Sequence, residues 1–279
     1  MKIKSKRLKI FLSRKISVIA AILLLVMLFM AFAGPFILTR NPYEMDFSNV
    51  SAGISREHWL GTDWAGRDLF TRIVYGGQIS LGLALMGVSI GLALGLSLGL
   101  ISGYYGGFID GIISRFIDFL MAIPAFMIAV ISLGIMGSGG INTGIAVGIS
   151  LAPSFMRLTR GQALAIKESD YVKSCRVIGA SDFRIITSHV LPGVLPIVAV
   201  AFTLNFGAAL LNSSALSFLG IGVNPPTPEW GSLVSSGRQT MLSNPLLIIA
   251  PGIAITLFVL CTSLVGDGLR DAFDPKSAE

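Results

Sequence analysis

The sequence predicts an all-α integral membrane protein with six transmembrane helices and both termini cytoplasmic. It also predicts a long outer loop after the first helix and a cytoplasmic helical elbow between the fourth and fifth. Three observations carry this expectation. The 279 residues are 53% hydrophobic and only 13% charged, whereas a soluble domain is about one quarter charged. The charges are segregated and leave long tracts free of Asp, Glu, Lys and Arg, and an apolar helix of about 20 residues crosses the hydrocarbon core. The mean hydropathy of +0.78 excludes a disordered chain. Two distant cysteines, Cys175 and Cys261, exclude a disulfide scaffold and give no metal-ligand spacing.

The elements follow in order. Residues 1–15 form a basic cytoplasmic N-terminus, and 16–38 form the first span. Ala31-Phe32-Ala33 resembles a leader cleavage site. The apolar run continues through Phe36-Ile37-Leu38, so this helix is expected to stay attached. Residues 39–72 carry charge, Trp59 and Trp64. They are too long for a hairpin connection and are expected to fold over the outer face of the bundle. Helices two to six lie within 73–268, in the uncharged stretches 73–109, 119–156, 190–228 and 246–266. The stretch 119–156 is too long for one span and divides at Gly137-Ser138-Gly139-Gly140, its first helix starting early, near Phe108. The fifth helix is expected to stop at Pro225-Pro226. A polar cytoplasmic segment covers 157–191, and 269–279 form a cytoplasmic tail.

Charge sets the orientation. With the N-terminus inside and six crossings, 16 of the 21 Lys and Arg are cytoplasmic; Arg40, Arg56, Arg67, Arg72 and Arg238 are outside. That bias orients a membrane protein, so the net charge of +6 does not point to nucleic acid.

Chemistry-bearing motifs are absent. There is no phosphate-binding loop, no His-Glu-x-x-His and no Cys-x-x-Cys. No ionisable residue falls mid-span, Asp118 being the nearest exception, and ion-driven transporters keep such groups near the midplane. The membrane part therefore reads as a conduit powered by another chain, with no catalytic residue and no metal site. In the second helix, Gly87, Gly91, Gly95, Gly99, Gly103 and Gly107 recur every fourth residue, a stripe that lets another helix backbone approach. In the fifth, Asn205 and Asn212 share a face, followed by Ser213, Ser214 and Ser217; these either bond between helices or line a translocation path. In the outer loop, Asp63, Arg67 and Asp68 are either local caps and ion pairs or a surface that receives substrate. Trp59 and Trp64 can equally be interfacial anchors.

The cytoplasmic stretch Ser169-Asp170-Tyr171-Val172-Lys173-Ser174-Cys175-Arg176-Val177-Ile178-Gly179 reads as a short helix capped by Ser169 or Asp170 and ended by Gly179. Ser181 or Asp182 then caps a second short helix, stopped by Pro192. Two short helices about a glycine turn make a rigid protruding elbow, and a solvated connecting loop is the plainer alternative.

Gly179, Ala180, Ser181, Ile185, His189, Leu191 and Pro192 stand as in the cytoplasmic loop motif of ABC-importer permeases. More narrowly, the chain resembles the second permease subunit of the dipeptide/oligopeptide/nickel importer family. Three further stretches support this. The first is His58-Trp59-Leu60-Gly61-Thr62-Asp63 with Gly66-Arg67-Asp68. The second is 216–222 with Pro225-Pro226-Thr227-Pro228-Glu229-Trp230-Gly231. The third is Gly266-Asp267-Gly268-Leu269-Arg270-Asp271 with Asp274-Pro275.

The resemblance implies a heterodimer with a homologous permease and two cytoplasmic ATPases that carry ATP and Mg2+ and grip the elbow (Asp170 to Asp182, including Tyr171, Lys173, Ser174, Cys175 and Ala180). It also implies an extracytoplasmic binding protein that delivers cargo to the outer loop (Trp59, Gly61, Asp63, Gly66, Arg67, Asp68). The cell membrane of a bacterium or archaeon is the implied location, the inner one if there are two. Pro225–Pro228 follow the pattern of peptide systems, which makes dipeptides or oligopeptides the expected cargo; nickel, metal chelates and glutathione are the alternatives. A self-sufficient transporter or channel is the rival class, and a membrane scaffold without cargo is a third. One departure stands out: the family's Glu-Ala-Ala positions hold Lys173, Ser174 and Cys175. Lys173 cannot pair with a basic ATPase group, and Asp170 or Asp182 is the expected substitute.

Overall fold

The structure, a computed structural model, describes residues 2–242 and 244–273. The expected tail motif at Asp274-Pro275 and the rest of the tail lie outside these residues. In chain order the helices are α1 (Lys2–Ser13), α2 (Lys15–Ile37), α3 (Leu69–Tyr105), α4 (Gly107–Met121), α5 (Ala125–Met136), α6 (Gly140–Lys167), α7 (Asp170–Val177), α8 (Asp182–Ile185), α9 (Leu191–Phe218), α10 (Trp230–Gly237) and α11 (Leu246–Phe273). Among the described residues the only β contact is one antiparallel bridge, Thr62 to Asp68.

Four helices are long and apolar enough to cross a membrane: α2, α3, the continuous 182–218 helix, and α11. The expected third helix, starting near Phe108, is instead two pieces. α4 and α5 meet at a 93° bend, because Pro124 has no N–H to continue the ladder and disfavours a helical residue before it. Counted as one span, the pair makes five. α6 has 28 residues, about 42 Å at ~1.5 Å per residue, and is long enough to cross. It falls short only in apolarity: Asn142, Thr143 and Ser150 are tolerated because neighbouring helices bury much of its surface.

α3 packs on α6 with backbone nearly touching backbone. A Cβ at Gly91 would lie 3.0 Å from the Gly148 carbonyl, at Gly99 2.7 Å from that of Met156, and at Gly103 2.7 Å from that of Arg160. The contacts advance together along both chains, so α3 and α6 run parallel. The expected ladder thus has five rungs rather than six. Gly107 lies beyond the helix end, with φ +55° and nothing within 4 Å of a Cβ. Around this pair, Leu81, Val88, Val147, Phe155, Leu210, Trp230 and Phe258 form the largest buried cluster.

Two other boundaries differ from expectation. α9 ends at Phe218, not at the prolines. Gly220 takes φ +80°, and the Ile221 and Gly222 amides fold back onto the Leu216 carbonyl, a glycine-terminated helix end. Pro192 does not stop the elbow. It lies inside a continuous helix that spans 182–218, directly after a local change of hydrogen-bond register of the kind that lets a proline be carried within a helix. The ladder slips by one residue in a π turn over Ile186–Val190, the Leu191 amide bonding the Ile186 carbonyl, so α8 runs into α9 without a break.

Gly99→Leu should destabilise the protein by overpacking, roughly 1–3 kcal/mol. Gly82→Ala, on the same helix with nothing within 4 Å, should be neutral or slightly stabilising. Thermal unfolding in detergent tests the pair, and equal effects would contradict the ladder.

Candidate functional site

The elbow is built on α7 and α8. Ser169 stands at the N-cap of α7, but its hydroxyl donates to the Ile166 carbonyl at 2.5 Å. Ser181 caps α8, accepting from the Arg184 amide. Between them Gly179 takes φ +83°, a conformation that costs any β-branched residue dearly, although space around it is open. One side of the elbow is buried: Val172 and Ile185 join Leu100, Tyr104, Val190 and Val194 in a second apolar cluster. The other side is bare, with Val177 at 87%, Ile178 at 81% and Phe183 at 77% exposure. Three large apolar side chains bare on one projection form a surface suited to another protein.

The expected coupling residues separate into roles. Tyr171 is exposed, its ring 6.3 Å from that of His189. Cys175 is half-buried, its Sγ 3.6 Å from His189 Nε2, and packs at the edge of the second cluster with Ala180. Ser174 donates to the Asp170 carbonyl. Lys173, at the position of the family's glutamate, forms an exposed ion pair with Glu168 at 3.1 Å. Asp182 is engaged: it accepts from the Tyr104 hydroxyl at 2.5 Å. Asp170, exposed at the start of α7, has no side-chain bond among the described residues.

The residues expected along the path do not converge on an open channel. Asn205 bonds the Ala201 carbonyl of its own helix, and Ser213 likewise bonds that of Leu210. Ser217 accepts from the Val223 amide. Asn212 is half-buried. The open space lies lower on α9, a groove of about 600 Å³ between α6, α9 and α11. It is lined by Ile197, Val200 and Leu204, with Gln162 and Arg270 as its polar groups.

At the other end, the outer loop is tied inward. Asp63 is buried, accepting from the Ala65 and Arg67 amides and from Arg67 Nε at 2.7 Å. Asp68 caps α3 through the Thr71 amide, and its second oxygen lies 2.9 Å from His58 Nδ1. Gly61 and Gly66 supply left-handed turns. The Asn49 amide holds the Asp46 carboxyl below the usual carboxylate range. Among the expected delivery residues only Trp59 is exposed, and Trp64, the other expected interfacial anchor, is exposed as well. Arg72, buried, donates to the Pro42 and Pro226 carbonyls and pins the loop to the segment after α9.

Two polar centres, one buried and one half-buried, gave little signal in the sequence. Glu229 is fully buried. It caps α10 by accepting from the Ser232 amide at 2.8 Å and accepts from Ser80 of α3 and Ser214 of α9. Beside it, Trp230 donates to Ser80 Oγ and to the Ile73 carbonyl. At the C-terminal end of α3, Asp110 of α4 takes two bonds from Arg160 of α6, at 2.6 and 2.7 Å, and one from Ser102 of α3. Partners 50 and 149 residues apart in sequence leave no local pattern. Only the position of Glu229 ahead of Trp230-Gly231 hinted at a helix cap.

Residues 95–279 match the family model described as binding-protein-dependent transport system inner membrane component. Residues 6–53 match that of the N-terminal transmembrane domain of oligopeptide transport permease C. The chain is 42% identical to the glutathione transport system permease protein GsiD of Escherichia coli O1:K1 and 45% identical to that of Shigella flexneri serotype 5b. Each alignment covers 84% of this chain and 79% of the relative. In fold it is similar to the MetNI methionine ABC transporter in inward-facing conformations (TM-score 0.59, 18% identity, 73% of this chain and 97% of that one). It is also similar to an amino acid ABC transporter with histidines (TM-score 0.56, 16% identity, 71% and 92%).

Burial pushes the Glu229 carboxyl above the ordinary range, against the Gly231 and Ser232 amides that favour its ionised form. A carboxyl with a raised folded-state pKa favours the fold most while protonated, and that favour is lost as pH rises from the unfolded toward the folded value. The melting temperature of Glu229→Gln minus that of the wild type should therefore increase with pH above about 4.3. A difference that is flat or falls with pH would contradict this.

Proposed function

The chain belongs to the inner membrane components of binding-protein-dependent transport systems, as an ABC-importer permease of the peptide, nickel and glutathione group, and we propose that it carries short peptides, glutathione foremost. It is a transport subunit and not an enzyme. Dipeptides or oligopeptides were the first expectation from Pro225–Pro228. The relatives named for glutathione, itself a short peptide, favour that alternative. Nickel or a metal chelate stands behind it, because the relatives above are named for glutathione.

The observation that carries the mechanism is the bare apolar tip of the elbow, Val177, Ile178 and Phe183. A surface of that kind fits a cleft on each ATPase, with Asp170 as the acid in place of the family's glutamate. ATP and Mg2+ are held by those ATPases, and their closure tilts the elbow. Because α8 is continuous with α9, the tilt reaches a span directly and alternates the access of the groove beside Ile197 and Val200. A second, homologous permease supplies the facing half of the path. A binding protein delivers cargo at the outer loop, where Trp59 and Trp64 offer exposed aromatic surface. The parallel run of α3 and α6 supports six crossings with both termini on one side, since the bent α4–α5 pair must bring the chain back across between them, and the Lys and Arg bias makes that side the inner one. The cell membrane, the inner one in a two-membrane bacterium, follows.

Ile178→Asp should leave membrane insertion intact while the ATPases cease to co-purify in mild detergent. Undiminished recovery of the ATPases would remove the elbow's role. Gly179→Val, forced into a left-handed turn, should abolish uptake at unchanged protein level. For cargo, a strain lacking this gene should lose uptake of labelled glutathione and regain it on complementation. Loss of nickel uptake alone would reassign the substrate.

A further inference from the structure

We infer that Tyr104 is the positioning residue through which the elbow moves α3, an inference that rests on the elbow's proposed coupling role. A tyrosine in the last turn of a span ordinarily turns its hydroxyl to the headgroup region. Tyr104 is instead 2% exposed and touches both arms of the elbow. Its hydroxyl donates to Asp182 of α8 at 2.5 Å, and the Arg176 guanidinium of α7 lies 5.1 Å above its ring.

The remaining elbow contacts with α3 are apolar, through the cluster of Leu100, Val172 and Ile185. Such contacts are non-directional and permit sliding. A hydrogen bond to a carboxylate is directional and fixes the register. The elbow reaches α9 covalently through the π turn. Its side-chain hydrogen bonding to α3 runs through Tyr104. From α3 the displacement passes on without slip. The glycine rungs hold α6, and Ser102, two residues before Tyr104, bonds Asp110 of α4, which Arg160 of α6 also grips. With the Tyr104 hydroxyl gone, elbow and α9 tilt while α3, α4 and α6 lag behind.

The test uses the complete reconstituted transporter: both permeases, the ATPases and the binding protein. Tyr104→Phe deletes only the hydroxyl. The expected result is normal assembly and ATP hydrolysis with cargo moved per ATP reduced roughly tenfold. Asp182→Ala should lower the same ratio, and the double variant should be no worse than the single ones. An unchanged ratio in Tyr104→Phe, or losses that multiply in the double variant, would overturn the inference. If Tyr104→Phe lowers the amount of assembled complex, Asp182→Ala decides, an unchanged ratio again overturning it. ATPases that stay bound to Ile178→Asp would instead overturn the elbow's coupling role, a separate outcome from the loss of this linkage.

Discussion

The approach of α3 to α6 at backbone distance is the contact on which the rest of the molecule depends. Glycine at every fourth position removes the side chains that would hold two helices 8–10 Å apart, and the rungs from Gly87 to Gly103 meet α6 along most of its length. In a bilayer, where lipid is as apolar as leucine, close packing of this kind replaces the hydrophobic effect as the source of helix association. Both functional ends hang from the resulting spine. At the outer end, Ser80 of α3 receives Glu229 and Trp230, fixing α10. At the inner end, Ser102 and Tyr104 receive α4 and the elbow.

Polar chemistry is placed accordingly. α9 carries no ionisable residue between Leu191 and Phe218, and the charged pairs sit at the ends of the bundle: Asp63 with Arg67 outside, Asp110 with Arg160 toward the elbow. Such pairs fix geometry rather than move ions. Burying Asp63 and Arg67 is tolerable because two backbone amides share the carboxylate, which offsets the cost of desolvation. The same residues that look like a delivery surface in the sequence are thereby spent on folding the loop. Exposed apolar area on the loop lies elsewhere, at Phe47, Ile54, Trp59 and Trp64.

What was legible in the sequence was what obeys a local rule. Charge-free length marked α2, α3, α9 and α11, four-residue spacing marked the ladder, and an isolated Gly179 between two capping serines marked the elbow turn with its positive φ. What was not legible depends on tertiary context. Pro124 sits in an uninterrupted apolar run, and only packing decides whether a proline kinks a span or splits it. Pro192 looked like a stop because a π turn, which absorbs its missing N–H, has no sequence signature. Lys173 read as a clash with the ATPase, whereas its neighbour Glu168 pairs with it. Tyr104 gave no signal, since Asp182 is 78 residues away.

On this reading the chain is a doorway that borrows its driving force. The most direct measurement is solute accumulation in proteoliposomes that contain this chain with its partner permease and binding protein, with and without the ATPases and ATP. Accumulation against a gradient only when ATPases and ATP are both present is the expected result. Accumulation by this chain alone, driven by a proton or sodium gradient, would contradict it.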